Sequence, residues 1–127
     1  MAATWVVVAM AFAGGVGAGC RFVLDGFVKE RVRLAYPVGT TIINVTGSFL
    51  LGVVTGLAMA HVLPAPWRLI LGTGFLGGYT TFSTASLETV RLAQQGRWRA
   101  SALNAFGMLA GSLLAAAAGL WLGGLGA

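Results

Sequence analysis

Long stretches without a charged side chain constrain this chain more than any other feature of its sequence. No Asp, Glu, Lys or Arg occurs in residues 1–20, 38–67, 69–87 or 100–127. Each stretch is close to or longer than the roughly 20 apolar residues that a helix needs to cross about 30 Å of hydrocarbon. Only 9% of all residues are charged, against about 25% in soluble domains. The sequence therefore predicts an all-α integral membrane protein.

Turn signals divide the chain into four predicted spans of one membrane domain, residues 1–127. A charged loop, residues 25–33, follows the first span, prolines close the second, and Gln94-Gln95-Gly96 separates the last two. Because the connections are short, neighbouring helices are expected to be antiparallel. The four predicted transmembrane helices cover residues 4–24, 38–62, 67–93 and 100–122.

Basic residues lie almost entirely on one side of this predicted bundle. Loops one and three, with the adjoining helix ends, hold seven of the eight Lys and Arg residues, and Arg68 lies on the other side. Cytoplasmic loops carry the excess of Lys and Arg, so these loops are expected to face the cytoplasm. We expect a multi-pass protein of the cell inner (plasma) membrane. Its orientation and the anionic lipid headgroups explain the net charge of +5. Nucleic-acid binding is not expected, because it would need a basic patch on a soluble surface.

Residues 74–88, GFLGGYTTFSTASLE, interrupt the third predicted span with glycine and hydroxyl residues. An unpaired backbone group costs several kcal/mol in hydrocarbon, so a broken helix survives at membrane depth only where the freed groups line a cavity, a partner or an ion. We expect the third helix to be broken within residues 77–81, with the backbone opened at Gly77-Gly78. The freed carbonyl oxygens could bind a hard cation such as Na⁺.

No residue pattern supports catalysis. Gly72-x-Gly74-x-x-Gly77 matches a dinucleotide-binding fingerprint, but it lies inside a membrane span with no strand before it. The single histidine, His61, lies at a helix end, and one cysteine permits no internal disulfide. We therefore expect no enzyme, no nucleophile with a matching base, and no cluster of metal-ligating side chains.

Uncharged polar side chains are spread along the second, third and fourth predicted spans. Donors without carboxylates suit a small anion, because each can replace a hydration water and no fixed negative charge repels the ion. Alternatively, single hydroxyls bond to their own backbone or join helices. In helical spacing Thr40 shares a face with Asn44, and Asn104 shares one with Ser112. The polar residues are Thr40, Thr41, Asn44, Thr46, Ser48, Thr80, Thr81, Ser83, Thr84, Ser86, Asn104 and Ser112.

Phe82 follows the two threonines of the interrupted span. Aromatic rings are common on lipid-facing surfaces, but a ring also carries positive potential at its edge. A ring beside a dry pore can therefore meet an anion edge-on while remaining unattractive to cations. Contact with an anion is one of several interpretations that the sequence leaves open for this residue.

Three motifs, in order along the chain, resemble the signatures of one family. Residues 14–22 resemble GGxxGAxxR, residues 39–52 resemble GT…NxxGSFxxG, and residues 74–84 resemble GxxGGxTTFST. Together with the chain length and the four-helix plan, they make this sequence similar to the Fluc (CrcB) family of fluoride channels over essentially its whole length.

The resemblance implies an antiparallel, dual-topology dimer with two narrow pathways through which fluoride leaves the cytoplasm passively. It also implies a structural, non-transported Na⁺ at the dimer centre, held by the carbonyl oxygens of Gly77 and Thr80. The family's fluoride-pathway positions correspond to Asn44, Phe82, Ser83, Thr84 and Ser112. Its vestibule and supporting positions correspond to Arg21, Thr40, Thr81, Asn104 and the acidic Glu88.

Two features depart from the family pattern. Ala85 stands where a second phenylalanine is common, and Asn104 stands where a tyrosine is frequent, so fluoride coordination in one pathway is expected to differ. The charge bias of seven to one favours a fixed orientation, whereas a homodimer inserted both ways needs little bias. The partner is therefore either a second copy or a homologous chain in the opposite orientation.

Two other classes of function remain open from the residues alone. A small dual-orientation multidrug or cation exporter would need a membrane-embedded carboxylate to couple protons, and Glu88 is its single candidate. Because Arg91 lies one turn further on, we expect an ion pair there instead. The remaining alternative is a membrane assembly subunit that transports nothing.

Overall fold

The computed structural model describes residues 3–34 and 36–126, which form helices and no strand. This confirms the all-α prediction. We number five helices: α1 spans Ala3–Arg31, α2 spans Val38–Met59, α3 spans residues 65–79, α4 spans Phe82–Gln94 and α5 spans Trp98–Gly123. Wider π-helical turns form Leu69–Leu76 within α3 and Leu103–Gly107 within α5, and a 3₁₀ turn, Gly124–Gly126, follows α5.

The charged segment after the first predicted span is mostly helical, so the prediction of a loop over residues 25–33 is wrong. α1 continues to Arg31. Lys29 Nζ lies 2.9 Å from Asp25 Oδ2 one turn earlier, and the Arg31 guanidinium lies 4.5 Å from the centre of the Phe27 ring. Basic residues in the last turn also interact favourably with the helix dipole. These local contacts support helix beyond the apolar stretch.

The third predicted span is two helices, as its interruption predicts. Among the described residues, three helices are long and apolar enough to cross a membrane individually: Thr4–Arg31, Val38–Met59 and Trp98–Gly123. α4 has only 13 residues, which corresponds to about 20 Å at 1.5 Å per residue. α3 and α4 can therefore complete a fourth crossing only together.

Glycines bring the helix backbones into direct contact. α1 packs on α3, where a Cβ on Gly17 would overlap the Phe75 carbonyl and a Cβ on Gly78 would overlap the Gly14 carbonyl. α2 packs along α5 in the same way, through Gly52 against the Ala116 carbonyl and further glycines on both helices. Small residues allow such close approach between membrane helices. Gly78 on Gly14, together with the close approach of α2 Gly47 to the Thr80 side chain, places the break between α3 and α4 against α1 and α2.

The core beside the break is small. Ile43, Leu76 and Tyr79 form its buried cluster, with the Phe75 ring stacked 6.0 Å from the Tyr79 ring. The Tyr79 hydroxyl lies 3.0 Å from Thr46 Oγ1. Many large apolar side chains on the outside remain exposed in the single chain, among them Phe12, Phe22, Phe82, Leu114 and Trp121. A surface of this kind suits lipid or a second subunit.

Candidate functional site

The backbone leaves the helical conformation at Thr80 and Thr81. Their φ and ψ angles are −81° and 160° for Thr80 and −148° and 121° for Thr81, both extended. Gly77 and Gly78 are still helical, in the last turn of α3. The break therefore lies within the predicted range, residues 77–81, but the prediction that the backbone opens at the two glycines themselves is wrong. Gly78 serves for close packing on α1, and the two threonines form the break.

Asn44 holds the extended backbone from α2. Its Oδ1 accepts a hydrogen bond from the Thr81 N–H at 2.9 Å, and its Nδ2 donates to the Thr81 carbonyl at 2.7 Å. Nδ2 also lies 3.2 Å from Met108 Sδ on α5. A buried amide is costly to leave unpaired, and here both of its ends are satisfied by the break and by α5.

Thr81 also starts α4. Its Oγ1 accepts a hydrogen bond from the Thr84 N–H at 3.1 Å, which is the usual N-cap arrangement. Thr80 behaves differently, because its hydroxyl donates to the Leu76 carbonyl at 2.9 Å and so remains attached to α3. The two neighbouring threonines thus close the two helix ends that meet at the break.

Backbone carbonyls are released where α3 ends. The Thr81 N–H, which a continuous helix would direct at the Gly77 carbonyl, bonds to Asn44 instead. The Gly78 carbonyl accepts a hydrogen bond from Arg21 Nε at 3.2 Å, and no described residue donates to the Thr80 carbonyl. Gly77 and Thr80 thus present oxygen ligands of the kind that hard cations prefer. No cluster of three His, Cys, Asp or Glu side chains occurs in the described parts of the chain.

A cavity of about 690 Å³ opens beside the break, between α2, α3, α4 and α5. Its described lining carries no charged side chain. Predicted site residues that the cavity brings together are Asn44, Gly77, Thr80, Thr81, Phe82, Asn104 and Ser112. Those that lie outside its lining are Arg21, Thr40, Ser83, Thr84 and Glu88.

Three lining residues lie on the face of α5 that their four-residue spacing predicts: Asn104, Met108 and Ser112. Two positions on α4, Ala85 and Thr89, complete the wall opposite them. The sequence interpretation did not single out Thr89 as a site residue. Its spacing of seven from Phe82 is the signal that could have found it, since residues at i, i+3 or i+4 and i+7 share a helix face.

Phe82 is the first residue of α4, and its side chain is 87% exposed in the single chain. The ring lines the cavity but is not packed into the core. The ring therefore contributes little burial to its own subunit and is open to the cavity, to lipid or to a second subunit.

Asn104 is fully buried, at 0% exposure, in the π-helical part of α5. Its Nδ2 donates to Thr89 Oγ1 at 2.8 Å, and the Thr89 hydroxyl donates to the Ala85 carbonyl at 2.9 Å. Ser101 adds a hydrogen bond of 2.8 Å to the Thr89 carbonyl. The Asn104 Oδ1 has no partner among the described residues. This group joins α4 to α5 through polar contacts.

Glu88 lies on α4 outside the cavity lining, and its carboxylate is close to the Thr40 hydroxyl. Thr40 itself is 2% exposed, so it is buried instead of facing the cavity with Asn44. The expected ion pair between Glu88 and Arg91 does not form in the described part of the chain. Among the described residues, the ion pair that is present joins Lys29 and Asp25. The Glu88 Oε1 and the Asp25 Oδ1 are buried without hydrogen-bond partners.

Comparison with known proteins identifies related sequences along almost the whole chain. Residues 8–120 match the profile of the CrcB-like protein family, described as Camphor Resistance (CrcB). A protein of Leifsonia xyli subsp. xyli named fluoride-specific ion channel FluC 1 is 62% identical over 120 residues, covering 94% of this chain and 88% of its own. Fluoride-specific ion channel FluC 2 of Cutibacterium acnes is 46% identical over 124 residues, covering 97% of this chain and 98% of its own.

Proposed function

Because this chain belongs to the CrcB-like protein family, we propose that it is a fluoride-selective channel through which the ion leaves the cytoplasm passively. It is a multi-pass membrane protein and not an enzyme, and in bacteria its membrane is the plasma membrane. The proposal rests on one observation above all: the cavity at the helix break is lined by uncharged polar groups and by the exposed Phe82 ring.

The chemistry of this lining favours a small, strongly hydrated anion. The hydroxyls of Ser48, Ser86 and Ser112 line the cavity and make no hydrogen bond to the described residues, so they are available as donors. A carboxylate, which would repel an anion, is absent from the described lining. The edge of the Phe82 ring adds positive potential without a charge. The serine hydroxyls and the ring edge can replace hydration water for fluoride, and they offer little to a cation, unlike the freed carbonyl oxygens of the break.

The fluoride pathway in this proposal runs past Phe82 and Ser112, with Asn44 in the wall. Ser83 and Thr84 follow Phe82 on α4 but lie outside the cavity of the single chain. Ser83 and Thr84 therefore face a fluoride pathway only if a second subunit packs against this side of α4 and forms the remaining wall. Arg21 supports the break from α1 through the Gly78 carbonyl.

An antiparallel dimer is part of the proposal. Two carbonyl oxygens from one chain are too few for a cation site, but two chains that meet at their breaks would supply four, from Gly77 and Thr80 of each. Hard cations take several oxygen ligands, and these oxygens would hold a structural Na⁺ that is not transported. The ion would neutralise the freed carbonyls and join the two subunits. Replacing Na⁺ by a large organic cation is then expected to slow or stop fluoride flux.

The exporter alternative is not favoured. Proton-coupled export needs a carboxylate that both the proton and the substrate can reach. Glu88 is not part of the cavity lining, and its Oε1 is buried. The relatives at up to 62% identity are named as fluoride channels.

Reconstitution in liposomes tests the function directly. Vesicles loaded with potassium fluoride and diluted into low-fluoride medium, with Na⁺ present on both sides of the membrane, are expected to release fluoride when valinomycin allows compensating K⁺ efflux, with no pH gradient applied. A fluoride electrode measures the release, and chloride-loaded vesicles are the control for selectivity. Drug uptake driven by a pH gradient, or no flux of either kind, would contradict the channel.

A further inference from the structure

Asn44 has no donor left for an anion, although it lines the cavity. One Nδ2 hydrogen is directed at the Thr81 carbonyl and the other at Met108 Sδ, at 2.7 Å and 3.2 Å. The opposite amide orientation would place two donors together at the Thr81 N–H and two acceptors together at its carbonyl, so the pairing determines which end is which. The side chain therefore acts on the break rather than on a passing ion.

The hydrogen bond from the Thr81 N–H to Asn44 leaves the Gly77 carbonyl without its usual helix donor. In an uninterrupted helix the N–H of residue 81 bonds to the carbonyl of residue 77. Here the donor has turned to Asn44 Oδ1 at 2.9 Å, and the extended Thr80 and Thr81 angles move it away from α3. The α2 side chain thereby releases an oxygen on another helix, 33 residues further along the chain.

Without Asn44, the apolar surroundings favour the opposite arrangement. An unpaired N–H and an unpaired carbonyl are both costly at membrane depth, and the nearest way to satisfy them is to pair Thr81 with Gly77 again. The Arg21 hydrogen bond to the Gly78 carbonyl restrains only the preceding turn. Asn44 is the one described side chain that satisfies both polar groups of Thr81.

We propose that Asn44 is a positioning residue that keeps the Gly77 carbonyl open for a cation, and so sets the affinity of the channel for Na⁺. The inference rests on the proposed function, because it assigns a residue to the sodium site of that proposal. Asn44 then has a role distinct from fluoride binding. Its side chain affects fluoride conduction indirectly, because it keeps the structural Na⁺ site formed.

Two substitutions separate the contacts of the amide. Asn44→Leu keeps a similar shape and removes every hydrogen bond, whereas Asn44→Asp keeps the acceptor for the Thr81 N–H and loses the donor. We expect Asn44→Leu to raise the Na⁺ concentration for half-maximal fluoride efflux by roughly ten-fold or more, because Na⁺ must then compete with the Thr81 N–H for the Gly77 carbonyl. A ten-fold change corresponds to about 1.4 kcal/mol. We expect Asn44→Asp to raise the Na⁺ concentration less, since the Gly77 carbonyl stays released. Efflux of Asn44→Leu, which adds no charge to the cavity, should largely recover at saturating Na⁺.

A second readout does not depend on conduction. In detergent without fluoride, Na⁺ is expected to raise the unfolding temperature of the unmodified chain, and Asn44→Leu should need a correspondingly higher Na⁺ concentration for the same rise. Ser48→Ala is the matched control, because Ser48 lies one turn from Asn44, also lines the cavity, and makes no hydrogen bond to Thr81. It should leave both Na⁺ midpoints unchanged, whatever its effect on flux.

The outcomes are distinguishable. If the unmodified chain conducts fluoride without any need for Na⁺, the sodium site and this inference both fail. If that chain depends on Na⁺ but the Asn44 variants keep its Na⁺ midpoint and lose flux even at saturating Na⁺, only this inference fails and Asn44 acts on fluoride. An Asp variant shifted as far as the Leu variant also contradicts it. If Asn44→Leu does not assemble, Asn44→Asp carries the comparison with Ser48→Ala.

Discussion

Phe82 illustrates how a single residue can matter for function and little for the fold of its own subunit. Its ring is largely exposed at the cavity, so Phe82→Ile retains bulk and hydrophobicity and removes only the electropositive ring edge. We expect this variant to lose fluoride efflux from liposomes while its elution volume in size-exclusion chromatography remains that of the unmodified chain.

Phe12→Ile is a matched control for this experiment. Phe12 is also exposed, but it lies on α1 and outside the cavity lining. This variant should conduct like the unmodified chain. Efflux at the normal rate from Phe82→Ile would show that the ring does not contribute to the fluoride pathway.

Asn104 offers a test of stability at the residue scale. Asn104→Ala leaves a void and removes the hydrogen bond to Thr89, so we expect it to lower the free energy of unfolding by about 1–3 kcal/mol. Asn104→Leu should cost less, because it fills the space and removes the unpartnered Oδ1 together with the amide. Thermal unfolding in detergent gives the comparison. A Leu variant as unstable as the Ala variant would show that Oδ1 has a stabilising partner.

At the scale of helices, the contact of α1 with α3 depends on glycine at particular positions. Gly17→Ala would press a methyl group against the Phe75 carbonyl, and overpacking typically costs about 1–3 kcal/mol. We expect this variant to unfold at lower temperature or to fail to assemble.

Gly15→Ala serves as the control two residues away on the same helix. No heavy atom lies within 4 Å of the position that its Cβ would occupy, and alanine is favoured over glycine by about 1 kcal/mol in a helix. Unfolding temperature should therefore be unchanged or higher. Equal damage from both substitutions would contradict backbone contact at Gly17 as the cause.

The interrupted third span shows how much the pattern of one element can predict. Glycine and hydroxyl residues in an apolar stretch predicted that this helix is broken within residues 77–81, which is correct. They did not predict which residues leave the helix, because that depends on hydrogen bonds to α2. Likewise, the charged end of α1 was predicted as a loop, and only the contacts of Asp25 with Lys29 and of Phe27 with Arg31 show why it is helical.

For the whole molecule, orientation can be tested by labelling. In a Cys20→Ala background, Arg33→Cys places a thiol between α1 and α2. An antiparallel homodimer predicts partial reaction with a membrane-impermeant maleimide both in intact cells and in inverted membrane vesicles. Labelling from one side only, with conduction that requires a co-expressed homologous chain, would identify a heterodimer. One-sided labelling with full conduction by this chain alone would contradict the antiparallel arrangement.

The sequence alone determined that this chain is helical, lies in the membrane and carries an uncharged polar track beside a broken span. These properties follow from hydrocarbon thickness, from the cost of charges and unpaired backbone groups in lipid, and from local residue order. Only the tertiary structure decided where the break opens and what its neighbours do. The residues in contact around the break are far apart in sequence. These pairs are Asn44 with Thr81, Thr40 with Glu88, and Arg21 with Gly78. Their contacts depend on how closely glycine allows the helices to pack, which a local pattern does not encode.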